Sequence, residues 1–358
     1  MASEQTGLIR KKWYSFVISL GYGRVLNIEV LYLKRKYLTA FPSKYCQLVS
    51  LQELYLDYNF ILILPSKIGQ LVNLQKLSLC CNNLGYIPSE IGQLVNLRKL
   101  DLFDNKLTFL PSEIGQLTSL QKLIIIQNRL TTLPPEIGQL RNLRKLSLNK
   151  NELTALPPEI GQLQNLRKLN LTKNKLNALP PEIGQLRNLR EMSLTKNRLT
   201  LLPSEFGCLG SLSYLDMSNN QLSSLPPEFG HLFSLQDLYL YQNKLTAIPP
   251  EFGQLFSLKF INLGDNPIPS LPPEFSQLAN LQGLNMYVNN IIEFRPEMSR
   301  LHNLNYLSHI YSPFWNRISF LRLMRLRTYK CNDNNILPHQ RRKRRRITIL
   351  YVEAITKY

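Results

Sequence analysis

The sequence predicts an α/β solenoid: a right-handed horseshoe of about twelve repeats, with a parallel β-sheet on its concave side and short 3-10 or helical turns on its convex side. Three observations lead there. A 23-residue phrase beginning at Ile28 recurs in register at Leu51, Leu74, Leu97, Leu120, Leu143, Leu166, Leu189, Leu212, Leu235, Leu258 and Leu281, with no insertion or deletion through residue 303. Positions 1, 4, 6, 11, 14, 18 and 21 of the phrase are apolar throughout: seven positions in twelve copies make 84, and all hold Leu, Ile, Met, Phe or, once, Tyr (Tyr45). Positions 3 to 7 alternate exposed and buried types, as in Lys168, Leu169, Asn170, Leu171 and Thr172, the pattern of a half-buried strand. One such unit cannot cover its own apolar face, so the units must stack in line.

Residues 1–27 precede the array. Arg10 to Leu20 sets a basic front before a short apolar stretch, but serines interrupt it and Gly21-Tyr22-Gly23-Arg24 is no small-residue cleavage site. The segment is therefore read as an amphipathic helical cap over the first repeat. Within each repeat of residues 28–303, the strand is followed by position 9, which is Asn in eleven copies from Asn59 to Asn289 and Lys36 in the first. A short amide that both donates and accepts suits backbone groups freed where the chain leaves a strand, which predicts an internal asparagine ladder. Positions 15 to 17 then read Pro-Pro-Glu or Pro-Ser-Glu in most copies. Proline opens a short helical turn without losing a needed N–H, and a carboxylate (Glu113 through Glu274) is favoured at its start. Glycine at position 19, Gly69 through Gly253, is read as permitting the tight return. The pattern begins a thirteenth time at Leu304, Leu307 and Ile310 and then breaks down. Residues 304–340 are read as a degenerate repeat, a capping helix around Ile318 to Tyr329 and a linker, with a basic tail over 341–358.

The net charge of +19 is unevenly spread: four basic residues against one acidic in 1–27, 27 against 21 in the repeats, and twelve against two in 304–358. The repeats are only mildly basic, so the total does not imply nucleic-acid binding by the array. No apolar run is long enough to span a bilayer. The five cysteines, Cys46, Cys80, Cys81, Cys208 and Cys331, form no clustered pairs at either flank, which predicts free thiols in a reducing cytoplasm. Chemistry-bearing constellations are missing as well. His231, His302, His309 and His339 are scattered, Cys331 and His339 are too few for a zinc site, and Gly21-Tyr22-Gly23 lacks the rest of a nucleotide-binding loop. The expectation is no enzyme, no cofactor, no metal and no small-molecule substrate.

Specificity is then left to the concave positions 3, 5, 7, 8 and 10. Position 3 is lysine five times running (Lys76, Lys99, Lys122, Lys145, Lys168), and strands about 4.8 Å apart spread these over about 19 Å. Lys150, Lys173 and Lys196 at position 8 extend the basic strip. Aromatic groups stand at both ends: Tyr32, Tyr37, Tyr55, Tyr58 and Phe60 before it, and Tyr214, Tyr239, Tyr241, Phe260 and Tyr287 after it. Cys80, Phe103, Ile124 and Ile126 form a smaller apolar patch. Aromatics beside cations are the composition of binding hot spots. The expected partner of this free-standing monomer is a protein with an acidic patch facing the lysines and apolar contacts at its edges. A solvated strip serving only solubility is the plainer reading of the lysines. The run Arg341, Arg342, Lys343, Arg344, Arg345, Arg346 reads three ways: a solvated tail, a nuclear-import or nucleic-acid contact, or an anionic-membrane contact. Arg317 to Phe320 fits a loose phosphatase-docking pattern and equally fits cap core.

With LxxLxLxxNxLxxLPxEIGQLxN repeated over residues 28–303, the chain resembles the 23-residue class of intracellular leucine-rich-repeat proteins. That class takes in Ras-binding scaffolds and Ras suppressors, plant Ras-group-related and disease-resistance repeats, and many bacterial repeat proteins. The resemblance implies a horseshoe that binds other proteins in signalling or host interaction, or that serves as a structural component of a larger assembly. It names no partner, because the matching residues are core and turn positions.

Overall fold

In the computed structural model, which describes residues 27–289, 291 and 295–308, each repeat contributes one strand to a single sheet. Thirteen strands, from β1 (Val30–Tyr32) to β13 (Tyr306–Ser308), pair in chain order and in parallel. Because the period never changes, every position faces its own equivalent: Lys145 opposes Lys168, Leu146 opposes Leu169 and Ser147 opposes Asn170. β13 places the expected thirteenth unit in the sheet. The expected caps over 1–26 and 309–340, and the basic tail over 341–358, lie outside the described residues.

Regular strand covers only positions 3 to 5, less than the alternation predicts. The ladder continues as single bonds, Leu171 N–H to Ser193 O (2.8 Å) and Lys173 N–H to Thr195 O (2.7 Å). What ends the strand is position 8. There twelve residues from Arg35 to Val288 adopt left-handed backbone with φ between 53° and 59°, and none is glycine. This residue turns the chain, and the next side chain points inward. It is the position 9 asparagine. Asn174 donates to Leu148 O of the preceding repeat (3.0 Å) and to Leu171 O of its own (2.9 Å), while its Oδ1 accepts the Leu153 N–H (3.1 Å). Each asparagine reaches back one repeat, so the first repeat, with none before it, can hold Lys36 instead. A second ladder, not anticipated from the sequence, runs along position 23: Asn165 donates to Arg141 O (2.9 Å) and Asn188 to Gln164 O (2.8 Å).

On the convex side each repeat makes a five-residue 3-10 turn, such as Pro158–Gln162, entered from an extended proline, Pro157 (φ −68°, ψ 147°). The position 19 glycines have a different reason from the one expected. No glycine among the described residues has positive φ. Successive turns instead stack so closely that a Cβ on Gly161 would stand 2.5 Å from Glu182 O of the next repeat. Inside these turns, position 18 changes from Ile to Phe in repeats 8 to 11. Phe206, Phe229, Phe252 and Phe275 stack as a spine with ring spacings of 6.1, 6.0 and 5.9 Å. The inward positions are buried along the array, as in Leu166, Leu169, Leu171, Leu176, Leu179, Ile183 and Leu186. At the first repeat Ile28, Leu31, Leu38, Tyr45 and Leu48 are only partly covered.

Candidate functional site

The short strands decide which side chains stand on the concave face. Positions 3 and 5 project from the sheet itself and position 7 from its edge, whereas position 8 lies on the left-handed turn. Lys150, Lys173 and Lys196 are therefore exposed along the rim, beside the lysine row and not within it. Three zones of different chemistry follow one another along the face.

In the first zone the aromatics are already engaged. Tyr32 stacks on Tyr55 at 4.7 Å, and Lys34 and Lys76 stand 4.7 and 4.9 Å from the Tyr55 ring centre. Arg35 lies 5.0 Å over Tyr58, and Tyr37 stacks on Phe60 at 6.3 Å. Beneath them Asp57, 3 % exposed, pairs with Lys34 (2.8 Å), accepts the Cys80 N–H (3.0 Å) and takes the Ser78 hydroxyl. Burial pushes this carboxyl up, but Lys34, Ser78 and the Cys80 amide together outweigh it and hold Asp57 below the ordinary carboxylate range. The sequence reading missed this buried acid, whose signal was a carboxylate at a position 7 next to lysine.

The central zone is the predicted lysine row, narrowed. Register sets Lys76, Lys99, Lys122, Lys145 and Lys168 side by side. Carboxylates neutralise its ends: Glu53 beside Lys76 (3.6 Å), Asp101 beside Lys99 (3.1 Å) and Glu191 beside Lys168 (2.6 Å). Lys122 and Lys145 are exposed and form no ion pair among the described residues. Half-buried Ile124 lies two residues from Lys122 on the same strand, and half-buried Cys80, Phe103 and Ile126 hold position 7 of repeats 3 to 5. Burial raises the Cys80 thiol to about 12, so it stays protonated at neutral pH.

The last zone brings Tyr214, Tyr239 and Phe260 into one line of rings, 5.6 and 5.5 Å apart, and continues to Tyr306 at 6.3 Å from Phe260. Tyr306 was not among the expected site residues; its place in a thirteenth unit hid it. Tyr241 and Tyr287 stand half-buried alongside at position 7. The surroundings are acidic. Burial, then Asp216, Tyr239, Asp237 and Glu191, push the Tyr214 hydroxyl up to about 12. No group of three or more metal-ligating side chains occurs among the described residues.

Profiles described as leucine rich repeat match residues 50–107 and 164–222, a leucine-rich repeat region profile matches 80–152 and 204–319, and a two-copy leucine rich repeat profile matches 141–182. The chain belongs to the leucine-rich-repeat family. A leucine-rich-repeat protein of Leptospira interrogans is similar at 41% identity and a TM-score of 0.73, over 81% of this chain and 74% of its own. A structure described as a TDR receptor is similar at 32% identity and a TM-score of 0.66, over 75% of this chain and 49% of that one. An internalin of Listeria monocytogenes, 19% identical with a TM-score of 0.59 over 80% of this chain and 88% of its own, shares the fold alone. No curated protein matches. Leucine-rich-repeat chains generally mediate protein–protein interactions as non-enzymatic scaffolds.

Proposed function

We propose that this leucine-rich-repeat chain is a recognition module that binds a protein partner along its concave face. The observation that carries the reading is the unpaired pair Lys122 and Lys145, held side by side by register, with half-buried Ile124 on the same strand as Lys122 and half-buried Phe103 and Ile126 further along the face at position 7. Buried leucines, asparagines and close-packed glycines are taken up by stacking. These exposed side chains have no such duty. Their complement is an acidic patch on the partner with apolar contacts beside it. We read the module as acting in signalling or host interaction in the cytoplasm; the resemblance to the 23-residue intracellular class supports this reading, and the free thiols of Cys46, Cys80, Cys81 and Cys208 are in keeping with a reducing compartment.

The test is affinity capture from a lysate by the wild-type chain and by Lys122→Glu/Lys145→Glu, with bound proteins quantified by mass spectrometry. Placing like charges against an acidic patch costs several kcal/mol, so a cognate partner should fall by more than about tenfold. An unchanged set of captured proteins refutes the reading. The double substitution Tyr239→Ala/Tyr241→Ala should likewise weaken capture while the chain still unfolds as one cooperative array, its melting temperature lowered only by the lost ring contacts to Tyr214 and Phe260.

A further inference from the structure

Over repeats 8 to 11 the aromatic residues do not form a merely apolar edge. β8 (Glu191–Ser193), β9 (Tyr214–Asp216), β10 (Asp237–Tyr239) and β11 (Phe260–Asn262) interlock rings and carboxylates as a checkerboard. Glu191 opposes Tyr214, Tyr214 opposes Asp237, and Asp237 opposes Phe260, while Asp216 opposes Tyr239 in the neighbouring row. Asp237 is thus flanked on both sides by aromatic residues, at the lip of a depression lined by Glu191, Ser213, Tyr214, Gln236 and Asp237. Further along the face, beyond Phe260, two glycines make room for rings. A Cβ on Gly283 would stand 2.5 Å from the Phe260 ring and one on Gly264 3.2 Å from Tyr241, so both rings lie down over the sheet. Asp216 spends one oxygen on the Ser218 N–H (2.9 Å), and Glu191 holds Lys168. Asp237 has no ion pair among the described residues, and no cation of the described chain lies over Tyr214, Tyr239 or Phe260.

The first zone of the same face shows what such rings accept. There Lys34 and Lys76 stand over Tyr55 beside carboxylates, and Arg35 lies over Tyr58. The last zone repeats the rings and the acids without the cations. We infer that the checkerboard around Tyr214, Asp237 and Phe260 takes an arginine side chain from an extended segment of the protein partner. A planar guanidinium can lie on a ring face and donate two parallel N–H bonds to a carboxylate, which an ammonium cannot do. The inference rests on the concave face being the binding surface and makes the partner bipolar. Lys145 opens β6 (Lys145–Ser147), four strands before Asp237, so the partner's acidic patch and its arginine stand about 19 Å apart.

The test titrates the full-length chain with a fluorescein-labelled Gly-Arg-Gly-Arg-Gly amide and with the same peptide carrying citrulline, its neutral isostere, following anisotropy. The arginine probe should bind saturably and the citrulline probe about tenfold more weakly. Asp237→Asn and Tyr214→Leu should each weaken the arginine probe by about threefold to tenfold, the range for one exposed ion pair or cation–π contact, and Tyr86→Ala on the outer flank should leave it unchanged. Binding that is absent, or indifferent to both Asp237→Asn and Tyr214→Leu, overturns the inference. A full-length variant with Arg341 to Arg346 replaced by glutamines separates the remaining occupant. If it binds the probe about tenfold more tightly than wild type, the chain's own basic run fills the site and the partner's arginine does not. Loss of partner capture by Lys122→Glu/Lys145→Glu alongside a failed probe titration would leave the concave-face reading standing and remove only this site.

Discussion

The asparagine ladder makes a quantitative prediction because its members share acceptors. Leu148 O receives two amide donors, Asn151 Nδ2 (2.9 Å) from its own repeat and Asn174 Nδ2 (3.0 Å) from the next. Leu171 O likewise receives Asn174 (2.9 Å) and Asn197 (3.0 Å). Asn174→Ala therefore leaves both carbonyls with one donor and orphans a single group outright, the Leu153 N–H that bonds Asn174 Oδ1 (3.1 Å). A buried orphan costs about 1–3 kcal/mol and each shared bond about 0.5 kcal/mol net, so the substitution should cost about 2–4 kcal/mol. Asn151→Ala/Asn174→Ala then strips Leu148 O of both donors, and the pair should exceed the sum of its singles by about 1–2 kcal/mol. Asn151 and Asn197 share no carbonyl, since Asn197 bonds Leu171 O and Leu194 O while Asn151 bonds Ile125 O and Leu148 O. Their double substitution should be additive within about 0.5 kcal/mol. Urea unfolding followed by far-UV circular dichroism measures all three, with constant m-values confirming that the array still unfolds as one unit. An Asn174→Ala cost below about 0.5 kcal/mol, or an additive 151/174 pair, would refute shared acceptors as the source of the ladder's stability.

Other outcomes follow from the same geometry. Gly161→Ala sets a methyl 2.5 Å from Glu182 O and should destabilise by about 1–3 kcal/mol in urea, whereas Gly210→Ala, with nothing within 4 Å, should be neutral or slightly stabilising. Val288 holds φ 58°, a conformation that β-branched residues resist, so Val288→Gly should raise stability by about 1 kcal/mol. Asp57 is held below the ordinary carboxylate range when folded. Its contribution is therefore complete above the unfolded value near pH 4 and is lost as pH falls through the folded value. Thermal melts of wild type and Asp57→Asn should differ most near neutrality and converge in acid; a gap that is constant down to pH 2 would count against the buried Lys34–Asp57 pair.

Much of this was legible from the chain alone because the repeat imposes one solution twelve times. A leucine at position 4 can be buried only if the strand alternates, and an asparagine after the strand is explained by the backbone groups that need it. The reasons for other letters were not local. Nothing within Pro158 to Gln162 says that Gly161 is required by Glu182 of the following turn, because that contact forms only on stacking. The left-handed residue at position 8 escaped notice since twelve ordinary side chains, from Arg35 to Val288, occupy it without a glycine to mark it.

The two aromatic groups show the same division. By composition both were tyrosines near charge, and both stood beside a lysine row. By itself the sequence determined the solenoid, its register and the identity of the outward side chains, because a constant period sets like against like in neighbouring strands. Only the tertiary structure decided how those side chains pair. It set Lys34 and Lys76 over Tyr55, gave Lys168 to Glu191, and left Asp237 between Tyr214 and Phe260 without a cation among the described residues. The physical reason is range. Burial patterns act between residues a few places apart, whereas most ion pairs and ring contacts on this face join side chains one or two repeats apart, over distances that only folding sets.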